Sequence, residues 1–102
     1  MRINITPVQN IELSIENGNS ILIVPKTIDP IKIVVSSFEI KFETNFESYE
    51  IDHCECIASS VFKNENTLLF TAITQRNHIN EFITISVKRK GKRKHQKIRF
   101  IR

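Results

Sequence analysis

The amino-acid sequence predicts an all-β fold, a sandwich of seven to eight short antiparallel strands, on three observations. Apolar and polar residues alternate with period two over many short runs, as in Ile11, Leu13 and Ile15 against Glu12, Ser14 and Glu16, the mark of half-buried strands. Isoleucine occupies eighteen positions and alanine two, Ala58 and Ala72; the first favours strand and the second helix. Turn signals recur at roughly ten-residue spacing, and no segment carries a helical apolar stripe. A chain of 102 residues makes one domain, 1–102, around a single core.

Residues 1–10, with Ile3, Ile5 and Pro7, read as an edge strand or an arm. Ile11 to Glu16 is a strand, and Asn17-Gly18 after it is the strongest short hairpin signal. Ser20 to Val24 returns as a continuously apolar strand, expected to be covered on both faces. Pro25 ends it and Pro30 precedes the next, because proline cannot donate to a sheet ladder. Ile31, Ile33 and Val35 are expected to point inward, as are Phe38, Ile40 and Phe42. That reading flips parity across Ser36-Ser37 and so predicts a bulge or bend there.

Tyr49 to Ile57 reads as one strand of uncertain register. Ser59 to Thr67, with Asn64 and Asn66, reads as the longest turn-like stretch. Leu68 to Thr74 is a strand with Leu68, Phe70 and Ala72 inward, and Gln75 to Glu81 a polar loop. Phe82 to Arg102 closes the chain as a hairpin around Gly91, its base apolar through Ile83, Ile85, Val87, Ile98 and Phe100. Short strands at this spacing point to an immunoglobulin-like sandwich, although the chain has no tryptophan and so lacks the Cys…Trp…Cys hallmark.

Charge is unevenly spread. Residues 88–102 hold nine of the fifteen lysines and arginines and no acid, so the other 87 residues carry six bases against eleven acids, a net of −5. Such a basic end attracts polyanions, an anionic surface or an acidic protein patch; its plainer role is a solvated, solubilising tip. The candidate binding residues are Lys88, Lys90, Lys92, Arg93 and Lys94. Extended as a ribbon, the finger 88–97 would project roughly 15 Å beyond the core at ~3.3 Å per residue. A ribbon of that kind fits a nucleic-acid groove, but no aromatic residue interleaves the bases from Lys88 to Arg99, so base stacking is unsupported.

Other chemistry is sparse. Cys54 and Cys56 are weak metal candidates: two thiolates on one side of a strand suit zinc, yet a site needs three or four ligands. His53 points away, and His78 and His95 stand alone. Two small core residues are the commoner reading, and a disulfide framework is excluded by number and spacing. No Gly-flanked serine, phosphate loop or carboxylate pair is present, so no enzyme and no cofactor is expected. No run is apolar and long enough for membrane insertion or a secretory signal. A native Met1 would place the protein in the cytoplasm or a virion; an excised domain could belong to the cell envelope.

The order VVSSFEIKF, a variable middle, then FITISVKRKGKRKHQKIRFI resembles the C-terminal β-sandwich domain of the periplasmic rod protein of Bacteroidetes gliding motility and type IX secretion. The resemblance covers about 70 residues and implies a partner-binding envelope module without catalysis. Two functions therefore compete. One is a structural or interaction module, a subunit of a larger assembly; the other is a nucleic-acid binder using the finger. A further expectation concerns self-assembly. Glu39, Glu43, Glu47, Glu50, Asp52 and Glu55 against Lys41 suggest an acidic strip, near Phe46 and Tyr49. A tip unable to fold back onto its own sheet would seek that strip on another copy, and such a heterologous contact builds rings or lattices.

Overall fold

A computed structural model of the chain describes residues 3–29, 31–43, 48–52, 57–75 and 80–101, the side chains of 51, 52 and 89 excepted. The described residues form nine strands and no helix. They are β1 (Ile3–Gln9), β2 (Glu12–Glu16), β3 (Asn19–Ile23), β4 (Val34–Phe42), β5 (Ser48–Asp52), β6 (Ile57–Asn64), β7 (Thr67–Thr74), β8 (Asn80–Arg89) and β9 (Lys92–Ile101). One sheet has the order β1-β4-β7-β6 and the other β2-β3-β9-β8-β5.

The two sheets bury their inner faces against each other. Phe38, Ile40 and Phe42 of β4 and Leu68, Phe70 and Ala72 of β7 supply one side. Leu22 and Val24, Ile83, Ile85 and Val87 of β8, and Ile98 and Phe100 of β9 supply the other. Phe38 and Phe70 are cross-strand partners and stack with ring centroids 4.9 Å apart. Pairing of adjacent strands holds the rings side by side, and such contacts add to the burial itself.

Both hairpin glycines sit where turn geometry demands them. Asn17 and Gly18 have φ 51° and 79°, Lys90 and Gly91 φ 51° and 74°, the two positive values of a type I′ turn. Open space surrounds both glycines, so backbone conformation and not crowding selects them.

The structure departs from the sequence reading at several places. Nine strands replace seven to eight, and the pairing of β3 with β9 is parallel, because the β2–β3 hairpin brings β3 back in the direction of β9. No bulge interrupts β4, which pairs with β7 in one register from Val34 to Lys41. The irregularity lies across from it on β1, between Pro7 and Gln9. Parity therefore does not flip. Ser36 points inward and is fully buried, while Ile31, Ile33 and Val35 are exposed. A buried hydroxyl is tolerable when bonded, and Ser36 Oγ donates to the Asn10 carbonyl at 2.7 Å. Asn10 Nδ2 in turn donates to the Val35 carbonyl at 3.1 Å. The two bonds fasten the corner, with Asn10 at φ 51°, where the chain leaves the first sheet for the second.

Residues 59–64, expected as part of a turn-like stretch from Ser59 to Thr67, belong to the strand β6, since β7 needs a partner on its outer side. The turn shrinks to Glu65-Asn66, braced by Asn66 Nδ2 donating to the Phe42 carbonyl at 3.0 Å. The expected single strand from Tyr49 to Ile57 is two, β5 and β6, in different sheets. Tyr49 and Phe62 nevertheless meet edge to face, centroids 4.8 Å apart. Residues 1–10 do contain an edge strand, β1.

Phe100 is fully buried on the central strand of the five-stranded sheet. Phe100→Ala should cost about 3–5 kcal/mol through lost burial and a residual cavity. At roughly 4–8 °C per kcal/mol for a domain of this size, melting should fall by more than about 12 °C. An unchanged calorimetric midpoint would contradict this core.

Candidate functional site

The basic hairpin is built by period-two pairing from its buried base outward. β8 and β9 pair in unbroken register from Asn80↔Ile101 to Arg89↔Lys92. Ile83, Ile85, Val87, Ile98 and Phe100 all face the core, as expected. The same alternation puts Arg93, His95, Lys97 and Arg99 in one row on the outer face of β9. Lys94 pairs with Val87 and Lys92 with Arg89 on the opposite face. Lys90, Lys92, Arg93 and Lys94 are exposed and Lys88, across from Arg93, is half-buried. The five candidate residues thus surround one end of the sheet, and Lys90 forms its turn.

The outer row is locked by neighbouring strands. Arg93 Nη1 donates to Glu50 Oε2 of β5 at 2.8 Å. His95 Nδ1 lies 2.7 Å from Ser86 Oγ. Lys97 Nζ stands 5.8 Å from the Phe82 ring centroid, within cation–π range. Arg99 Nε donates to Asn80 Oδ1 at 2.9 Å. The sequence reading picks the tip and misses that His95, Lys97 and Arg99 continue the face of Arg93. The signal was present, since every second residue from 93 to 99 is a base or imidazole.

Two expectations are corrected. The finger is not a free ribbon: β5 flanks β8 as far as Ser48↔Lys88, so among the described residues only the last pair and the turn extend beyond it on that side. Nor is the tip out of reach of the chain's own acids, because β5 joins the same sheet and brings Glu50 to Arg93. The acidic strip itself divides. Glu39 lies on the four-stranded sheet, where Lys63 Nζ contacts Glu39 Oε1 at 2.7 Å, and Glu50 on the other sheet. Tyr49 packs against the core. Phe46, Glu47, Glu55, His53, Cys54, Cys56 and His78 lie outside the described residues.

One edge of the hairpin is uncovered. β3 pairs with β9 only from Arg99 to Ile101, and among the described residues no strand adjoins Lys92 to Ile98 on that side. The Ile101 carbonyl accepts from Val24 N–H at 2.8 Å, so odd-numbered residues of β9 turn their main-chain groups away from β8. Alternation along a strand carries this to Lys97, His95 and Arg93, whose N–H and C=O groups face the uncovered edge.

Elsewhere, a depression of about 450 Å³ lined by Ile3, Asn4, Lys41, Phe42, Glu43 and Asn66 brings together one amine and one carboxylate but no imidazole or thiol. Among the described residues no three His, Cys, Asp or Glu side chains group as metal ligands, and no helix is long and apolar enough to cross a membrane. Compared with known protein families, curated proteins and solved structures, the chain matches none. The class that the fold defines is thus an all-β protein of two facing sheets.

Lys90 occupies a left-handed position that Asn17 occupies in the other hairpin, and asparagine tolerates that conformation better than lysine. Lys90→Asn should raise stability by about 0.5–1 kcal/mol, read from chemical denaturation. The Glu50–Arg93 pair is exposed, at 70% and 47% of the side chains. A double-mutant cycle with alanine should give a coupling below about 1 kcal/mol. A larger value would mean that the ion pair, and not the ladder, holds β5 in place.

Proposed function

We propose that this chain is a non-catalytic interaction module of immunoglobulin-like type, a subunit of a larger protein assembly in a virion or cell envelope. It docks acidic protein surfaces through the basic end of its β8–β9 hairpin. The observation that carries the reading is the row Arg93, His95, Lys97 and Arg99 on a strand fully paired to β8, with Glu50, reaching from β5 across β8, showing that the row receives a carboxylate on this face. Cations held on a rigid sheet lose less entropy on docking than the same residues on a loop. Immunoglobulin-like topology is supported by the strand orders. Apart from the β2–β3 hairpin, β1-β4-β7-β6 and β9-β8-β5 follow the four-plus-three arrangement of such domains. An envelope assembly is also what the resemblance to the gliding-motility rod domain implies.

Nucleic-acid binding is the alternative, and one observation favours it. Phe82 is 51% exposed and pairs with Arg99, so one aromatic ring does stand among the cations, as base stacking requires. Polyglutamate and duplex DNA, titrated across salt concentrations, separate the two. The module should bind polyglutamate, and changing Lys92, Arg93 and Lys94 together to Glu should remove the binding. Tighter binding to DNA, with a log–log salt slope of about −0.9 per phosphate neutralised, would select the alternative. Binding to neither polyanion would leave the hairpin as a solubilising tip.

A further inference from the structure

We propose that the uncovered edge of β9 is a strand-addition site for an extended segment of a partner protein that carries carboxylates at alternate positions. This rests on the reading of the chain as a docking module for acidic protein and adds the mode of docking. The N–H and C=O groups of Arg93, His95 and Lys97 face an edge that no described strand covers. Such an edge is a ready template for one more strand. Lysines commonly protect such edges, and here bases occupy both faces: Arg93 and Lys97 on one, Lys92 and Lys94 on the other. A second β9 would set like charges opposite one another, which opposes pairing. An acidic strand meets the reverse situation.

Register sets the pattern required. Residues of an incoming antiparallel strand opposite Arg93, His95 and Lys97 project to the same outer face as those side chains. Carboxylates at i, i+2 and i+4 therefore stand opposite Arg93, the His95 imidazole and Lys97, while intervening residues need only favour strand. The chain holds a related contact on the other side of the hairpin. Glu50 of β5, in the sequence SYEID, stands opposite Ser86 of β8 and reaches across that strand to Arg93. A partner strand at β9 would bring its carboxylates one strand closer to these bases.

The test is amide hydrogen exchange on the full chain, with fluorescence anisotropy for affinity. In the free protein the amides of Arg93, His95 and Lys97 should exchange quickly and those of Lys94, Gln96 and Ile98 slowly. A peptide of alternating glutamate and threonine should bind and protect those three amides. A peptide of equal composition with its glutamates in one block should bind at least about tenfold more weakly. His95→Pro removes an edge N–H without touching the β8 ladder, and should weaken the alternating peptide by about tenfold or more. His95→Ala removes the imidazole but keeps that N–H, and should weaken the alternating peptide by about threefold at most, well short of the proline variant.

Should His95→Pro fail to fold, Arg93→Pro takes its place and exchange in the unaltered protein decides. Equal binding of the two peptides, or binding that leaves the three amides unprotected, overturns strand addition while acidic docking through side chains stands. If neither peptide nor polyglutamate binds, both readings fall. Binding of duplex DNA alone replaces them with the nucleic-acid one.

Discussion

The register of β8 on β9 is the constraint from which the rest follows. A two-residue turn at Lys90-Gly91 closes the hairpin, and its length leaves one way for the arms to align. A slip of one residue would carry Lys97 and Arg99 into the core and turn Ile98 and Phe100 out to water. Four of the largest fully buried side chains, Ile83, Ile85, Ile98 and Phe100, oppose that slip. Alignment of the base in turn dictates which face each base at the tip occupies and which main-chain groups meet the uncovered edge. Stability at one end of the hairpin and charge display at the other are consequences of one periodicity.

Electrostatics follow from sheet membership more than from sequence proximity. Glu39 and Glu50 are eleven positions apart, yet each pairs with a base on its own sheet, Lys63 in one case and Arg93 in the other. Exposed pairs of this sort contribute little to stability. Their effect lies in orientation, because they hold long side chains in set directions along the sheet surface. The cations of β9 are thereby presented as a row and not as a cloud.

The four-stranded sheet shows a different outer surface. Val35 and Ile73 pair across its central strands and remain about half exposed, as does Val61 on the edge strand. Their exposure is the counterpart of Ser36 turning inward, since a strand with one uninterrupted period cannot bury both Ser36 and Val35. Hydrogen bonding to Asn10 offsets the burial of the hydroxyl and fastens the corner between β1 and β2.

The all-β class, the two glycine turns, the inner face of β7 and the buried base of the last hairpin were determined by the sequence itself. Each is local: period-two alternation, a left-handed turn position or an apolar pair needs only near neighbours to be expressed. Other features depended on contacts between distant segments. Ser36 faces the core because Asn10, twenty-six residues earlier, bonds its hydroxyl. Residues 57–64 extend because β7 offers an edge, and β3 runs parallel to β9 because the chain changes sheets first. For the candidate site, the tip lysines were legible as a charge run. The shared face of Arg93, His95, Lys97 and Arg99 was encoded in alternation but obscured by Lys94 and the run of bases before it. Only tertiary structure decided that Glu50 meets Arg93 and that β3 covers β9 no further than Arg99, since both turn on where separate strands begin and end beside one another.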